Sequence, residues 1–349
     1  MTPKKALFVA VTLFSACLNS CQDAFILIPP DTTPGRRDYT WTIDTLAYTY
    51  TVFYRLWAGS PTDVWVTGGG GYWGDQILHY DGTKWNTGIA EQYKEYYSPG
   101  GIYGFAGNDI YLGTLNGGIW YYDGISFKQI AVPTKDGHRD IAFNNLWGAS
   151  SYDVYAFGAY PDEIGYFNHT VITHFYKGNW DMLDTDGLYG VVGHLYSNWF
   201  DRRIYLQVIG GRNYNDSTTI YEYVEGKYNK LYSNVWVQGL QADISLIQHE
   251  VYFIIGDSIL TRRNGQFQNV TIVNNPNFYQ RVWGRTSKDI FLMMVDGLAH
   301  YDGTDVQYLF HYGLHTQVAG AALFDKDVVF LIVDQTGLNL IYHGHLKYQ

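Results

Sequence analysis

Leu56-Trp-Ala-Gly-Ser-Pro-Thr-Asp-Val-Trp-Val-Thr-Gly68, a glycine-rich stretch and Ile77-Leu-His-Tyr-Asp-Gly-Thr-Lys-Trp85 make one unit of a pattern that returns along the chain. It recurs as Ile102-Tyr-Gly-Phe-Ala-Gly-Asn-Asp-Ile-Tyr-Leu-Gly113 with Ile119-Trp-Tyr-Tyr-Asp-Gly124, and as Leu146-Trp-Gly-Ala-Ser-Ser-Tyr-Asp-Val-Tyr-Ala-Phe-Gly158. Late in the chain it is Val282-Trp-Gly-Arg-Thr-Ser-Lys-Asp-Ile-Phe-Leu292 followed by Leu298-Ala-His-Tyr-Asp-Gly303. Self-similarity at a fixed period marks a repeat architecture.

The unit is anchored on a polar-plus-aliphatic step: Asp63-Val64, Asp109-Ile110, Asp153-Val154, Arg203-Ile204, Glu250-Val251, Asp289-Ile290 and Asp327-Val328. These seven steps lie about 44 residues apart, the spacing of propeller blades of four strands each. A second mark is a dipeptide ending in glycine: Asp81-Gly82, Asp123-Gly124, Lys177-Gly178, Glu225-Gly226, Asn264-Gly265, Asp302-Gly303 and His343-Gly344. Two-residue hairpins need positive φ, which Gly, Asn and Asp tolerate best. Blades one, two and six therefore fit tight turns, whereas blades three, four and seven predict longer or bulged ones.

Each blade parses alike, with Leu-Trp-Gly on the inner strand, Asp-Val-Tyr on the second, Ile-x-His-Tyr on the third and Lys-Trp-Asn on the fourth. Gly59, Gly104, Gly148, Gly193 and Gly284 are expected just after the inner strand, where blades crowd near the axis. Trp and Tyr rows would fill the wedges between blades. The expectation is an all-β propeller of seven blades over residues 39–349. The ring has two candidates for its closing strand, Trp41-Thr-Ile-Asp-Thr-Leu46 and His345-Leu-Lys-Tyr-Gln349.

The composition agrees. Of 349 residues, 46% are hydrophobic and 18% aromatic, with 33 Tyr and 11 Trp, so core material is plentiful. Charged residues are only 16%, which leaves Tyr, Thr, Asn and Gly to cover much of the surface of a β protein. The net charge is −10 and the basic residues are scattered. That excludes the positive field a nucleic-acid binder needs.

Lys4-Lys5, an apolar run from Ala6 to Ala16 and Leu18-Asn-Ser-Cys21 read as a secretory leader, the run being too short to span a bilayer. Both cysteines of the chain, Cys17 and Cys21, lie in this segment. Leu-x-small-Cys resembles the bacterial lipobox, which implies cleavage after residue 20 and lipidation of Cys21. Phe14-Ser-Ala-Cys17 is a competing site, and an ordinary signal peptide with incidental cysteines is the plainer alternative. Residues 21–38, with Pro29-Pro30 and Pro34-Gly35, read as a tether. The implied address is the bacterial cell envelope, anchored to a membrane, with the outer membrane preferred.

The Trp-Gly-Ser-x-x-Asp-Val-Trp…His-Tyr-Asp-Gly-x-Trp pattern resembles bacterial exported β-propeller repeats, many of them on lipoproteins. Tyr111-Leu-Gly-Thr-Leu-Asn-Gly-Gly-Ile-Trp-Tyr-Tyr-Asp-Gly124 is similar to a blade of the sensor propellers of two-component regulators. The resemblance implies a fold and an envelope address, and brings no catalytic residues.

Chemistry-bearing residues are few. His79 and His300 share one repeat position and read as structural strand histidines, since equivalent sites on blades one and six lie apart around the ring. His311, His315, His343 and His345 fall at loops and strand ends and form no recognisable ligand set. Asp181-Met-Leu-Asp-Thr-Asp-Gly187 lacks the acidic ligands of a calcium loop at its first and last positions and reads as an inter-blade turn. No catalytic fingerprint is present, and neither metal nor cofactor is expected.

The repeat breaks at loops. Ala159–His169 in blade three and Gly210–Ser217 in blade four are long insertions between second and third strands, expected on one face. Tyr72 and Trp73 of blade one, Tyr160 and Tyr166 of blade three, and Arg212, Asn213 and Tyr214 of blade four are the candidate binding residues, types suited to gripping a peptide or stacking on a sugar. The functional expectation is a monomeric, noncatalytic binding or scaffold module for a protein or glycan partner. The alternative is a polysaccharide hydrolase or lyase, which a cluster of acidic groups at the axial mouth, with carboxyls about 5–10 Å apart, would favour.

Overall fold

A computed structural model describes residues 33–48, 50–89, 98–210, 217–235, 242–314, 316–334 and 336–348. They form seven four-stranded antiparallel sheets. After β1 (Tyr39–Leu46), blade one comprises β2 (Thr51–Ser60), β3 (Asp63–Gly70), β4 (Ile77–Tyr80) and β5 (Trp85–Asn86). Blade two is β6 (Pro99–Ala106), β7 (Asp109–Thr114), β8 (Ile119–Tyr122) and β9 (Phe127–Ala131). Blade three is β10 (Ala142–Ser150), β11 (Asp153–Pro161), β12 (Phe167–Tyr176) and β13 (Asn179–Met182). Blade four is β14 (Val191–Asn198), β15 (Arg203–Ile209), β16 (Ser217–Val224) and β17 (Lys227–Val235).

Blade five is β18 (Ala242–Ile247), β19 (Glu250–Ile255), β20 (Ser258–Arg263) and β21 (Gln266–Ile272). Blade six is β22 (Phe278–Thr286), β23 (Asp289–Met294), β24 (Gly297–Tyr301) and β25 (Val306–His311). Blade seven holds β26 (Gln317–Leu323), β27 (Asp327–Val333) and β28 (Asn339–Leu346). Every second strand starts on the first residue of the step read from the sequence, from Asp63 to Asp327.

The first strands touch in a closed ring, β2 on β6, β6 on β10 and onward until β26 returns to β2. The core lies between blades. Trp65 and Ile77 of blade one, for instance, pack with Ile102, Ile110, Leu112 and Trp120 of blade two, each such side chain stabilising by about 1.5–3 kcal/mol. The glycines expected after the inner strands lie within them. A Cβ on Gly104 would sit 2.8 Å from Trp57, and one on Gly148 2.7 Å from Phe105, each on the preceding blade.

The turns invert the expectation. Tyr176 pairs with Asn179, Val224 with Lys227 and Arg263 with Gln266, so blades three, four and five have two-residue hairpins. Lys177, Glu225 and Asn264 take φ near 50° ahead of their positive-φ glycines. In blades one, two and six the loop spans four residues, as Tyr80 pairs with Trp85, Tyr122 with Phe127 and Tyr301 with Val306. There the aspartate closes the turn with its side chain, Asp81 Oδ1 accepting from the amides of Thr83 and Lys84. An Asx turn, not a two-residue hairpin, explains the Asp-Gly pairs.

Blade seven is completed by β1, which pairs with β28 along its length from Tyr39↔Leu346 to Leu46↔Asn339. His343-Gly344 is thus interior to β28 and forms no turn, because the N-terminal strand supplies the fourth strand without a hairpin. His345 belongs to the third strand. Trp41 seals the joint with its ring edge-on to Phe310 at 4.9 Å.

The last residues of the expected tether are docked. Gly35 N donates to Lys288 O, Arg36 to Lys347 O, and Arg37 to the carbonyls of His300 and Asp305. Arg37 also pairs with Asp302 and Asp305 at 3.1 and 2.7 Å. All these partners lie at the end of the ring formed by first-to-second and third-to-fourth turns.

Candidate functional site

Successive side chains of a strand alternate faces, so residues two apart on each first strand reach the axis together. One rung, set by equivalent register, is Arg55, Gly101, Asn145, His194, Asp243, Arg281 and Gly320. Two residues on comes an aromatic rung, Trp57, Tyr103, Trp147, Tyr196 and Trp283, with Ser245 and Ala322 in blades five and seven. Six of the seven first strands carry a register shift at or just before the polar rung. Bulges re-aim side chains in this way beside functional sites.

The two rungs enclose an axial cavity of about 310 Å³ that includes Arg55, Asn145, His194 and Arg281 and all five aromatics. It extends toward the first-to-second-strand turns as far as Phe324. Its described lining contains no carboxylate. Trp57 and Trp147 thus serve twice, packing between blades and facing the axis.

The polar rung is wired by hydrogen bonds. Arg281 donates Nη2 to His194 Nε2 at 2.9 Å, which leaves Nδ1 to donate to Asp243 Oδ1 at 2.7 Å. The imidazole is therefore neutral. Burial pushes its pKa down, Asp243 works the other way, and the Arg281 charge adds to the lowering. Burial works to raise the Asp243 carboxyl, but His194 and Arg281 outweigh it and hold it below the usual range.

Among the described residues Arg55 bonds two carbonyls, Asn144 O at 3.1 Å and Tyr54 O at 2.8 Å. Burial, with the repulsion of Arg281, lowers it to about 10. Tyr103 is pushed up to about 12 by burial.

The residues singled out from sequence lie elsewhere. The loop expected at 159–169 is mostly strand: β11 runs to Pro161, β12 starts at Phe167, and Asp162 Oδ1 ties the tip by accepting from Ile164 N and Tyr166 N. Tyr166 stands at that tip, 61% exposed beside exposed Ile164 and Phe167. Tyr72, 54% exposed, precedes a 3-10 turn at Trp73–Asp75 on the same end of the ring.

Tyr160 is 8% exposed. Its ring is sandwiched between His138 at 4.6 Å and His169 at 4.8 Å, and its hydroxyl donates to Asp136. Its ring is thus engaged within the protein by both histidines. Arg212, Asn213 and Tyr214 lie outside the described residues, as does Cys21.

The repeated histidines pair with the aspartates that open second strands, His79 with Asp63 at 2.7 Å and His300 with Asp289 at 2.6 Å. His174 and Asp153 repeat this at 2.6 Å, and both His343 and His345 reach Asp327 at 2.9 Å. Blade four reverses the charges, with its Arg203 and the neighbouring blade's Arg262 gripping Glu222. These are blade struts. Asp184–Gly187 connects blade three to blade four, as an inter-blade turn should.

The axial rung escaped sequence reading, although its signal was present. The residue two before four of the five inner-strand aromatics gives Arg55-Leu-Trp, Asn145-Leu-Trp, His194-Leu-Tyr and Arg281-Val-Trp, a polar–aliphatic–aromatic triplet that recurs in blades one, three, four and six.

No protein-family model and no curated protein matches the chain. Among solved structures it is similar to YCF48 bound to D1 peptide, at 14% identity and TM-score 0.59, covering 90% of this chain and 99% of that one. A catalytically inactive virginiamycin B lyase from Staphylococcus aureus with quinupristin aligns at 12% identity and TM-score 0.61, over 88% of this chain and all of the other. The extracellular domain of a putative hybrid two-component system from B. thetaiotaomicron aligns at 15% identity and TM-score 0.59, over 89% of this chain and 40% of that one. The likeness to sensor propellers read at 111–124 has its structural counterpart there. At these identities the likeness is one of fold: the chain is a seven-bladed β-propeller.

Proposed function

We propose that this propeller is an exported, noncatalytic binding module, held to the cell envelope by a lipid on Cys21, that takes a partner protein at its axial cavity. The observation that carries the reading is the cavity itself, walled by five aromatic side chains and two arginines with no carboxylate on its described lining. Paired acids about 5–10 Å apart are what a glycoside hydrolase would use. Asp243, the carboxylate of the polar rung, is already committed to His194 and Arg281.

Peptide-bound YCF48 and the extracellular domain of the two-component system are the comparisons that sit best with a binding role outside the cytoplasm. Tyr72 and Tyr166, with Ile164 and Phe167, supply an exposed apolar rim for a second contact on the hairpin end.

Capture from envelope extracts tests this. The wild-type chain should retain one partner that the Trp57→Ala/Trp283→Ala variant loses, while a variant at the exposed Tyr348 retains it. Equal capture by all three would discard the axial reading. Processing is tested separately: Cys21→Ser should lose membrane association, and a variant still sedimenting with membranes would remove the lipid anchor.

A further inference from the structure

Buried charges in proteins are normally paired, and the axial rung departs from that rule. It holds two guanidinium groups, Arg55 and Arg281, against the single carboxylate of Asp243, with His194 locked neutral between Arg281 and Asp243. Asp243 belongs to Arg281 and His194; no ion pair reaches Arg55 among the described residues, and its hydrogen bonds go to two carbonyl oxygens. The rung thus carries one uncompensated positive charge at the wall of a cavity of about 310 Å³.

Resting on the binding role above, we propose that the axial cavity is a carboxylate site, in which Arg55 and Arg281 hold a ligand's carboxylate and the aromatic rung receives its apolar body. A guanidinium presents donors in a planar fork that matches a carboxylate. One negative charge neutralises the rung, whereas a dianion would leave an excess of the opposite sign. The next rung places Trp57, Trp147 and Trp283 around the same space, where a ring or branched chain attached to that carboxylate would lie. Two sources share this chemistry: a free organic acid and the C-terminus of a peptide.

Titration of the full chain by tryptophan fluorescence separates the cases, using N-acetyl-Ala-Phe, its C-terminal amide and benzoate as probes. The free-acid peptide should saturate, with at least ten-fold tighter binding than the amide. Arg55→Gln should lose that ten-fold preference while its ligand-free melting temperature stays at or above the wild-type value, since an uncompensated buried charge has been removed. Saturation by benzoate at the peptide's affinity assigns the site to free acids; saturation by the peptide alone assigns it to chain ends.

Equal binding of acid and amide would overturn the carboxylate site and leave the binding role standing. If no probe binds and Arg55→Gln merely melts earlier, Arg55 is a strut between Tyr54 and Asn144 and the proposal falls. The envelope-capture experiment then judges the broader role by itself.

Discussion

At the residue scale, the acid that opens a second strand also anchors a cross-strand partner in blades one, three, five, six and seven. Asp289 is the most enclosed case. His300 is fully buried against it, Arg285 donates to its other oxygen, and Gly35 of the N-terminal strap closes over the pair. Burial works to raise the Asp289 carboxyl, but the bonds from His300 and Arg285 outweigh it and hold it below the ordinary range. A carboxyl lowered in the folded state stabilises fully above its unfolded pKa of about 4 and loses that contribution as pH falls through the folded value.

Asp289→Asn is therefore expected to cost about 3 kcal/mol at pH 7 by urea unfolding, because it strands Arg285 and His300. The variant should also lose less stability than the wild type between pH 5 and pH 3. A parallel acid dependence in the two proteins would show that other carboxylates govern it. Sequence reading reached His79 and His300 as strand histidines because their repeat position is explicit. It could not reach the pairing, since the two partners lie 11 to 16 residues apart and meet only once the strands are in register.

At the element scale, turn chemistry divides the blades into two kinds. Glu225 sits at φ 50° in a two-residue hairpin whose geometry favours Asn-Gly. Glu225→Asn should stabilise the protein by roughly 0.5–1 kcal/mol, read as a raised urea midpoint with unchanged slope. No gain would mean that Glu225 makes a compensating contact through its side chain. Conversely, Asp302→Ala removes the acceptor for Thr304 and Asp305 amides and should cost about 1 kcal/mol.

Second strands were legible because a charged residue followed by an aliphatic one recurs at even spacing. First strands were legible only in part. Their bulges insert one residue before the axial position, which breaks the period-two alternation that would have aimed Arg55, Asn145, His194 and Arg281 at a common axis. The blade-three insertion was legible as a deviation, whereas the burial of Tyr160 against His138 and His169 was not, because it follows from β11 running to Pro161 and β12 starting at Phe167. Composition alone does not distinguish a long loop from a long hairpin.

At the scale of the molecule, the ring is closed by joining the two ends of the described chain, and the N-terminal segment does so in two steps. The strap of Gly35 to Asp38 fastens to blade six and to Lys347, and β1 then completes blade seven. Removal through Asp38 should leave one cooperative unfolding transition at a cost of about 1 kcal/mol. Removal through Leu46 strips Tyr39, Trp41 and Leu46 from Phe330, Tyr342 and Ile341, and should split or abolish the calorimetric transition. If both truncations melt alike, β1 is dispensable and the ring closes through side-chain packing alone.

The position of that strap also distinguishes the two ends of the ring. The described chain enters the disc at the turn end, whereas the Tyr72 and Tyr166 hairpins project from the opposite end. The nine-residue span of β11 carries the hairpin tip roughly 30 Å beyond the turns. The two hairpins and the N-terminal strap thus occupy opposite ends of the ring.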